Sequence, residues 1–325
     1  MNKKLQLLIF ITLTHQSLYA WGFFAHKKIN EFAITTLPTE MVGFYKLHSA
    51  FIAENAVNPD RRRYSVEGEA PKHYIDLDTY PDSLHEDLIK GWDHAVGMFS
   101  KDTLVKHGIL PWNLHLISLQ LTKAFKALDA KKILKLSSDM GHYIADAHVP
   151  LHTTRNYNGQ LTGQHGIHGF WESRIPEVLM SEFDLWVGKA KYIENLKNES
   201  WTIVLSSHMA VDSVLAFEKE LSEKTSPLKK YEFEERNGHH IKTYSRKYVR
   251  KYHQKLDHQV ENRMRASIRA VGSFWYTCWK NAGRPNLNEL LDSPKTEEDI
   301  IAWHKKVLFW KKTGISSRTH ESDNQ

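Results

Sequence analysis

The sequence predicts an all-α fold. Apolar residues recur three and four apart in successive segments, no stretch sustains the alternation of a strand, and two histidine–acid pairs stand four residues apart, one helical turn. The 325 residues, 41% hydrophobic and 25% charged, have ordinary globular composition, enough for one large domain or two small ones.

Residues 1–20, MNKKLQLLIFITLTHQSLYA, join Lys3 and Lys4 to an apolar run from Leu5 to Leu13 and end on Ala20. That is the layout of a secretory signal peptide, with an apolar part too short for a membrane span. Cleavage after Ala20 makes Trp21 the first residue, although Leu18 is larger than usual three residues before a cut. His26, Ile29, Ala33 and Thr36 then share a helical face that stops at Pro38. Residues 50–80 lack a sustained period and are rich in Pro, Gly and charge, so they read as an ordered loop crossing the surface. Loops of that length are usually functional, and Asp60 and His73 lie in this one.

Three amphipathic helices follow. One is marked by Leu84, Leu88, Trp92, Val96 and Phe99, the next by Leu114, Ile117, Leu121, Phe125 and Leu128. The third is marked by Ile133, Leu136 and Met140 and continues through His142 and Asp146 to Pro150. A Gly-rich break over 156–166 leads into a helical HGFWESRIPEVL. Ser200 is a candidate cap for helices carrying Trp201, Val204, Leu205, Val211, Leu215 and Leu221. A last long helix through Val260, Met264, Ile268, Val271, Trp275 and Trp279 closes at Gly283 and Pro285. Residues 225–256 are basic and Tyr-rich; they read as a solvated helical face or insertion in preference to a phosphate site. Residues 311–325, ending SSRTHESDNQ, read as a disordered tail. No linker or repeat divides residues 21–310, which read as one domain, and no later run is long and apolar enough to span a bilayer.

The formal charge of +6, or +4 without Lys3 and Lys4, would suit nucleic acid or an anionic lipid surface, but it is modest and its charges are interspersed. The one cysteine, Cys278, allows no internal disulfide, which fits a bacterial periplasmic or secreted protein whose stability comes from its core or from metal.

Chemistry concentrates between His142 and Glu172, in the pattern H-x3-D-x5-H-x15-H-x3-E. His142 with Asp146, and His168 with Glu172, each share a helical face and can share an ion; His152 lies between the pairs. Any single pair arises readily by chance among 20 histidines, but five such residues in one ordered run weigh more. Trp21, as a new N-terminus, offers an amine of pKa near 7.7 to 8.0 and a carbonyl oxygen that together can chelate a dication, with His26 five residues on.

The motifs W-G-x3-H at Trp21–His26, the Asp60 loop, HYID at His73, H-x3-D-x5-H and H-x3-E together resemble one family. It is the trinuclear-zinc superfamily that contains bacterial zinc-dependent phospholipase C and the single-strand-specific nucleases of fungi and plants. The resemblance covers about residues 21–285 and implies three Zn2+ ions. Asp60, His73, His142 and Asp146 would hold one; the amine and carbonyl of Trp21, His26 and the other oxygen of Asp146 a second; His152, His168 and Glu172 a third. His165 competes with His168 but lies seven from Glu172, and His148 reads as structural or supporting.

The resemblance further implies zinc-dependent hydrolysis of phosphodiester bonds by a metal-activated hydroxide, with Asp60 orienting or deprotonating the water. Arg63 matches a phosphate-contacting arginine of the nuclease branch and reads equally well as a surface arginine of the RRR run. The His26 spacing resembles the nucleases; Glu172 in place of aspartate, the compact gap before His168 and the lack of disulfides resemble the phospholipases. The expected partner is thus a phospholipid, the slight lean, or single-stranded nucleic acid, and the expected state a secreted or periplasmic monomer. The rival of another class is a non-catalytic zinc-binding or interaction protein, with no coordination position left open at the third zinc.

Overall fold

A computed structural model of the chain describes residues 22–236 and 238–291; the expected signal peptide, Trp21 and the tail lie outside the described residues. The fold is mostly helical. In the first part α1 (Phe23–Ile34), α2 (Thr39–Leu47), α3 (Ser49–Asn55) and α4 (Asn58–Arg62) follow closely on one another. Three 3-10 turns, the first at Ala70–His73, lead to α5 (His85–Lys90), α6 (Trp92–Phe99), α7 (Lys101–Lys106), α8 (Leu110–Lys126) and α9 (Ala130–Ala147). Next come α10 (Ile167–Gly169), a π turn at Phe170–Arg174, α11 (Ile175–Leu179), α12 (Leu196–His208), α13 (Val211–Glu223) and α14 (Pro227–Lys230). An antiparallel ribbon of β1 (Tyr231–Arg236) and β2 (His239–Tyr244) precedes α15 (Arg246–Lys255) and α16 (Gln259–Asn281).

The structure is built around α9. Asp129 caps it by accepting a hydrogen bond from the Lys132 N–H at 3.0 Å. Its first turns are amphipathic, with Lys131, Lys132 and Lys135 exposed and Ile133 and Leu134 buried. From Ser137 to Ala147 every residue is buried, because α1, α3, α8, α12 and α16 all pack on that half. Tyr45 and Ser137 share a hydrogen bond of 2.8 Å, the Trp275 indole donates to the Ser137 carbonyl at 3.1 Å, and the Tyr45 and Trp275 rings stack at 4.9 Å. These contacts join α2, α9 and α16 while satisfying each buried polar group.

Two glycines let α1 lie close between α9 and α16. A Cβ at Gly141 would fall 1.8 Å from Asn30 Oδ1, and one at Gly272 would fall 1.8 Å from Thr36 Oγ1. Asn30 and Thr36 are themselves buried.

Four expectations are corrected. Residues 50–80 are not a surface loop: α3, α4 and the 3-10 turns run through them, and Asp60, His73, Ile75 and Leu77 are buried. Elements of three to seven residues are too short to print a sustained period. The helix read across Leu84–Phe99 breaks at Gly91, whose φ of 149° admits only glycine comfortably. Ser200 is no cap; it donates back to the Leu196 carbonyl at 2.8 Å inside α12, which Asn195 caps. The basic, Tyr-rich segment is not one helical face: it contains the β ribbon, the exception to an otherwise helical fold. The ribbon is strapped down by Arg174, whose guanidinium binds Glu232 at 2.9 Å and Glu234 at 2.6 Å. No helix among the described residues is long and apolar enough to cross a membrane.

Gly141→Ala tests the close packing of α1. A helix interior gains roughly 1 kcal/mol from Gly to Ala, but overpacking at a buried, fixed neighbour costs about 1–3 kcal/mol. Net destabilisation in urea titrations is expected, and Gly272→Ala should behave alike; a stabilised variant would contradict the packing.

Candidate metal centre

Asp60 enters the core because Pro59 starts the five-residue α4, which turns its carboxylate inward. There it meets His142 and Asp146 of α9 and His73 of the first 3-10 turn. Asp60, His73 and His142 present donor atoms within 4.8 Å of one another, and so do His26, His142 and Asp146. Asp146 serves both groups with different oxygens. Its Oδ2 lies 2.9 Å from His73 Nδ1 and 3.1 Å from His142 Nε2, while Oδ1 lies 3.4 Å from His26 Nε2. The His26 ring stacks on His142 at 4.0 Å, a closeness set by the seating of α1 on α9.

His152, His168 and Glu172 form a third group within the same limit. Glu172 sits in the π turn, where the longer helical repeat keeps it beside His168, one turn back in α10. Its Oε2 is 3.1 Å from His168 Nε2 and 3.4 Å from His152 Nε2. This group adjoins the other two: His152 Nδ1 lies 4.0 Å from Asp146 Oδ1 and bonds to the His73 carbonyl at 2.5 Å.

Backbone carbonyls fix three of the imidazoles. His142 Nδ1 donates to the Ala56 carbonyl at 2.9 Å, His152 Nδ1 to that of His73, and His168 Nδ1 to that of Tyr157 at 3.1 Å. Each Nε2 is thereby turned inward, where it offers a lone pair whenever the ring is neutral, the second-layer arrangement that orients metal-ligating histidines. Consequently His152 Nε2 and His168 Nε2 face each other at 3.1 Å with a carboxylate beside them, three acceptors around one point. Asp60 Oδ2, His73 Nε2, Asp146 Oδ1 and both oxygens of Glu172 are buried with no hydrogen-bond partner among the described residues. No Lys or Arg pairs with Asp60, Asp146 or Glu172 there. Such a donor set fits cations, and mixed imidazole and carboxylate ligands fit zinc.

The local field points the same way. Burial disfavours a charged His152, yet Asp146 and Glu172 hold its imidazolium up to about 9. Burial opposes ionisation of Glu172 as well, and His168 and His152 nevertheless draw it down to about 2. Asp146 is held below the usual carboxylate range by His142 and His152, against its burial. His73, dominated by burial, drops to about 4 and stays neutral.

The three consecutive arginines after Asp60 divide in role. Arg61 lies over the Phe23 ring at 5.3 Å. Arg62 binds Asp139 through two nitrogens, at 3.1 and 3.0 Å, and Glu69 at 2.8 Å, while the Tyr143 hydroxyl donates to Glu69. That network ties the Asp60–His73 segment to α9. Arg63 is half-buried, i+3 from Asp60, and its guanidinium has no partner among the described residues.

Every expected ligand within the described residues is thus brought together: His26, Asp60, His73, His142, Asp146, His152, His168 and Glu172. Trp21 lies outside them, and Arg63 is placed beside Asp60 without joining the cluster. His165 is exposed and joins no group among the described residues; His148 is buried, donates to the Ile144 carbonyl at 2.7 Å and is pushed by burial to about 4. No protein-family model and no curated protein matches the chain.

Asp146→Asn should lower bound metal by more than one equivalent, since its oxygens face two groups, whereas His168→Gln should lower it by one; elemental analysis of purified protein reads both. The acid network gives a pH dependence. Burial disfavours ionised Glu69, but Lys72, Tyr143 and Arg62 draw its pKa down to about 2. Its contribution is therefore complete above its unfolded value, roughly 4.3, and lost as pH falls toward 2. Urea midpoints measured from pH 6 to 2.5 should fall less steeply in Glu69→Gln than in the parent chain.

Proposed function

We propose that this chain is an exported, monomeric, zinc-dependent phosphodiester hydrolase of the trinuclear-zinc superfamily, acting as a phospholipase C. The observation that carries the proposal is the convergence of three adjoining donor groups on orphaned buried oxygens and inward imidazole lone pairs. Asp60, His73, His142 and Asp146 would hold one ion, His26 and Asp146 with the Trp21 terminus a second, and His152, His168 and Glu172 a third. Bound zinc supplies Lewis-acid charge toward a phosphate and acidifies water toward neutrality.

The chain's own groups complete the chemistry. Asp60 Oδ2, without a hydrogen-bond partner among the described residues, can accept a proton from the attacking water or orient it. Arg63, also without a side-chain partner among the described residues, suits a phosphate oxygen. Among the described residues the third group has three protein donors, and His168 is its most exposed member at 15%, which supports a substrate-facing position over a closed structural site.

A second reading, a single-strand nuclease with the same metals, is favoured by Arg63 and by the Tyr157 ring, 6.1 Å from that of His168, a surface on which a base can stack.

Zinc-loaded protein processed to begin at Trp21 should hydrolyse phosphatidylcholine vesicles faster than single-stranded DNA. The reverse preference selects the nuclease, and activity on neither overturns both readings in favour of a non-catalytic zinc protein. Protein retaining residues before Trp21 should be less active, since an amide nitrogen cannot replace the terminal amine.

A further inference from the structure

A fourth group of donors lies outside the three already described. His253 at the end of α15, His258 at the corner between helices and Glu261 in the first turn of α16 present ligand atoms within 4.8 Å of one another. We propose that these three residues bind a further transition-metal dication of the zinc class, in an exchangeable site that fastens α15 to α16.

Each donor is prepared for a ligand by its surroundings. His253 is only 6% exposed, and its Nδ1 has no hydrogen-bond partner among the described residues. A buried imidazole nitrogen without a partner is costly unless something accepts its lone pair or proton. The His258 ring meets it edge-on, with centroids 4.9 Å apart. Glu261 Oε1 accepts from the Asp184 N–H at 2.9 Å, and Asp184 is itself paired with Arg265 at 3.0 Å. The carboxylate is thus oriented by one oxygen while the other, Oε2, faces His258 Nδ1 at 3.7 Å. That separation is too long for a hydrogen bond, so hydrogen bonding does not account for the grouping.

The backbone adds a further sign. Asp257 and His258 have φ of 49° and 58°, two successive left-handed residues that carry a Cβ. Strain of this kind collects at ligand clamps, and here it folds His258 back over His253. Burial and the neighbouring His258 lower the pKa of His253, which keeps it neutral and ready to ligate.

Two imidazoles and one carboxylate match zinc and its neighbours in the first transition row; calcium and magnesium prefer all-oxygen sets. His258 is 58% exposed, so the remaining coordination positions face solvent. Binding there is accordingly weaker and faster than in the buried groups, and it is independent of their assignment.

The competing explanation is a surface ion pair of little energetic weight between His258 and Glu261. Competition titration of the full chain with Zn2+ against a chromophoric chelator separates the two. The parent chain should bind one equivalent more than either His258→Gln, which changes an exposed side chain, or Glu261→Gln, whose amide oxygen can still accept from the Asp184 N–H. Co2+ added to zinc-filled protein should also broaden the His253 ring-proton NMR signals in the parent and in neither variant. Equal stoichiometry in all three proteins, or His253 signals insensitive to Co2+, would overturn the site.

Discussion

Three carboxylates, Asp60, Asp146 and Glu172, sit inside this protein with imidazoles as their neighbours and with no Lys or Arg paired to them among the described residues. An uncompensated buried charge costs several kcal/mol even after relaxation. The surrounding architecture is arranged to offset that cost. α9 supplies Asp146 and His142, α1 is pressed close to bring His26, and α4 is turned inward to bring Asp60. Carbonyls of Ala56, His73 and Tyr157 then turn three imidazole Nε2 atoms toward the carboxylates, so that a proton or a cation held between them balances the charge. Protons partly balance the charge, as the raised pKa of His152 indicates, but a dication satisfies several donors at once.

Part of this was legible in the sequence. The i, i+4 pairs His142–Asp146 and His168–Glu172 follow from helical period alone, and so do α8, α9 and α16. The return of His26, Asp60 and His73 to α9 is a long-range event that no local pattern encodes; in the sequence it rested on family resemblance. The Asp60 segment misleads because its helices are too short to repeat, although Asp60, His73, Ile75 and Leu77 within it are buried. The β ribbon is hard to see because its strands are short and mainly polar, yet the Asn237-Gly238 dipeptide between them is a strong hairpin signal. His253 and His258 straddle a left-handed corner, so their spacing of five fits neither a helix nor a strand, and only His258 with Glu261 keeps a helical i, i+3 step.

The arginine run shows the limit of composition more sharply. Arg61, Arg62 and Arg63 are chemically identical, and successive 100° steps around α4 send them to an aromatic face, a buried acid network and an unpaired position next to Asp60. Their roles are set by angle, which only the packed helix supplies.

α16 seals the molecule late. Trp275 bonds to Ser137 across 138 residues of sequence, and Cys278 to Ser118 across 160. During synthesis, every donor from His26 to Glu172 has therefore emerged before the helix that covers α9 and α1 exists. Until it docks, α9 has only α1, α3, α8 and α12 as its main helical packing partners.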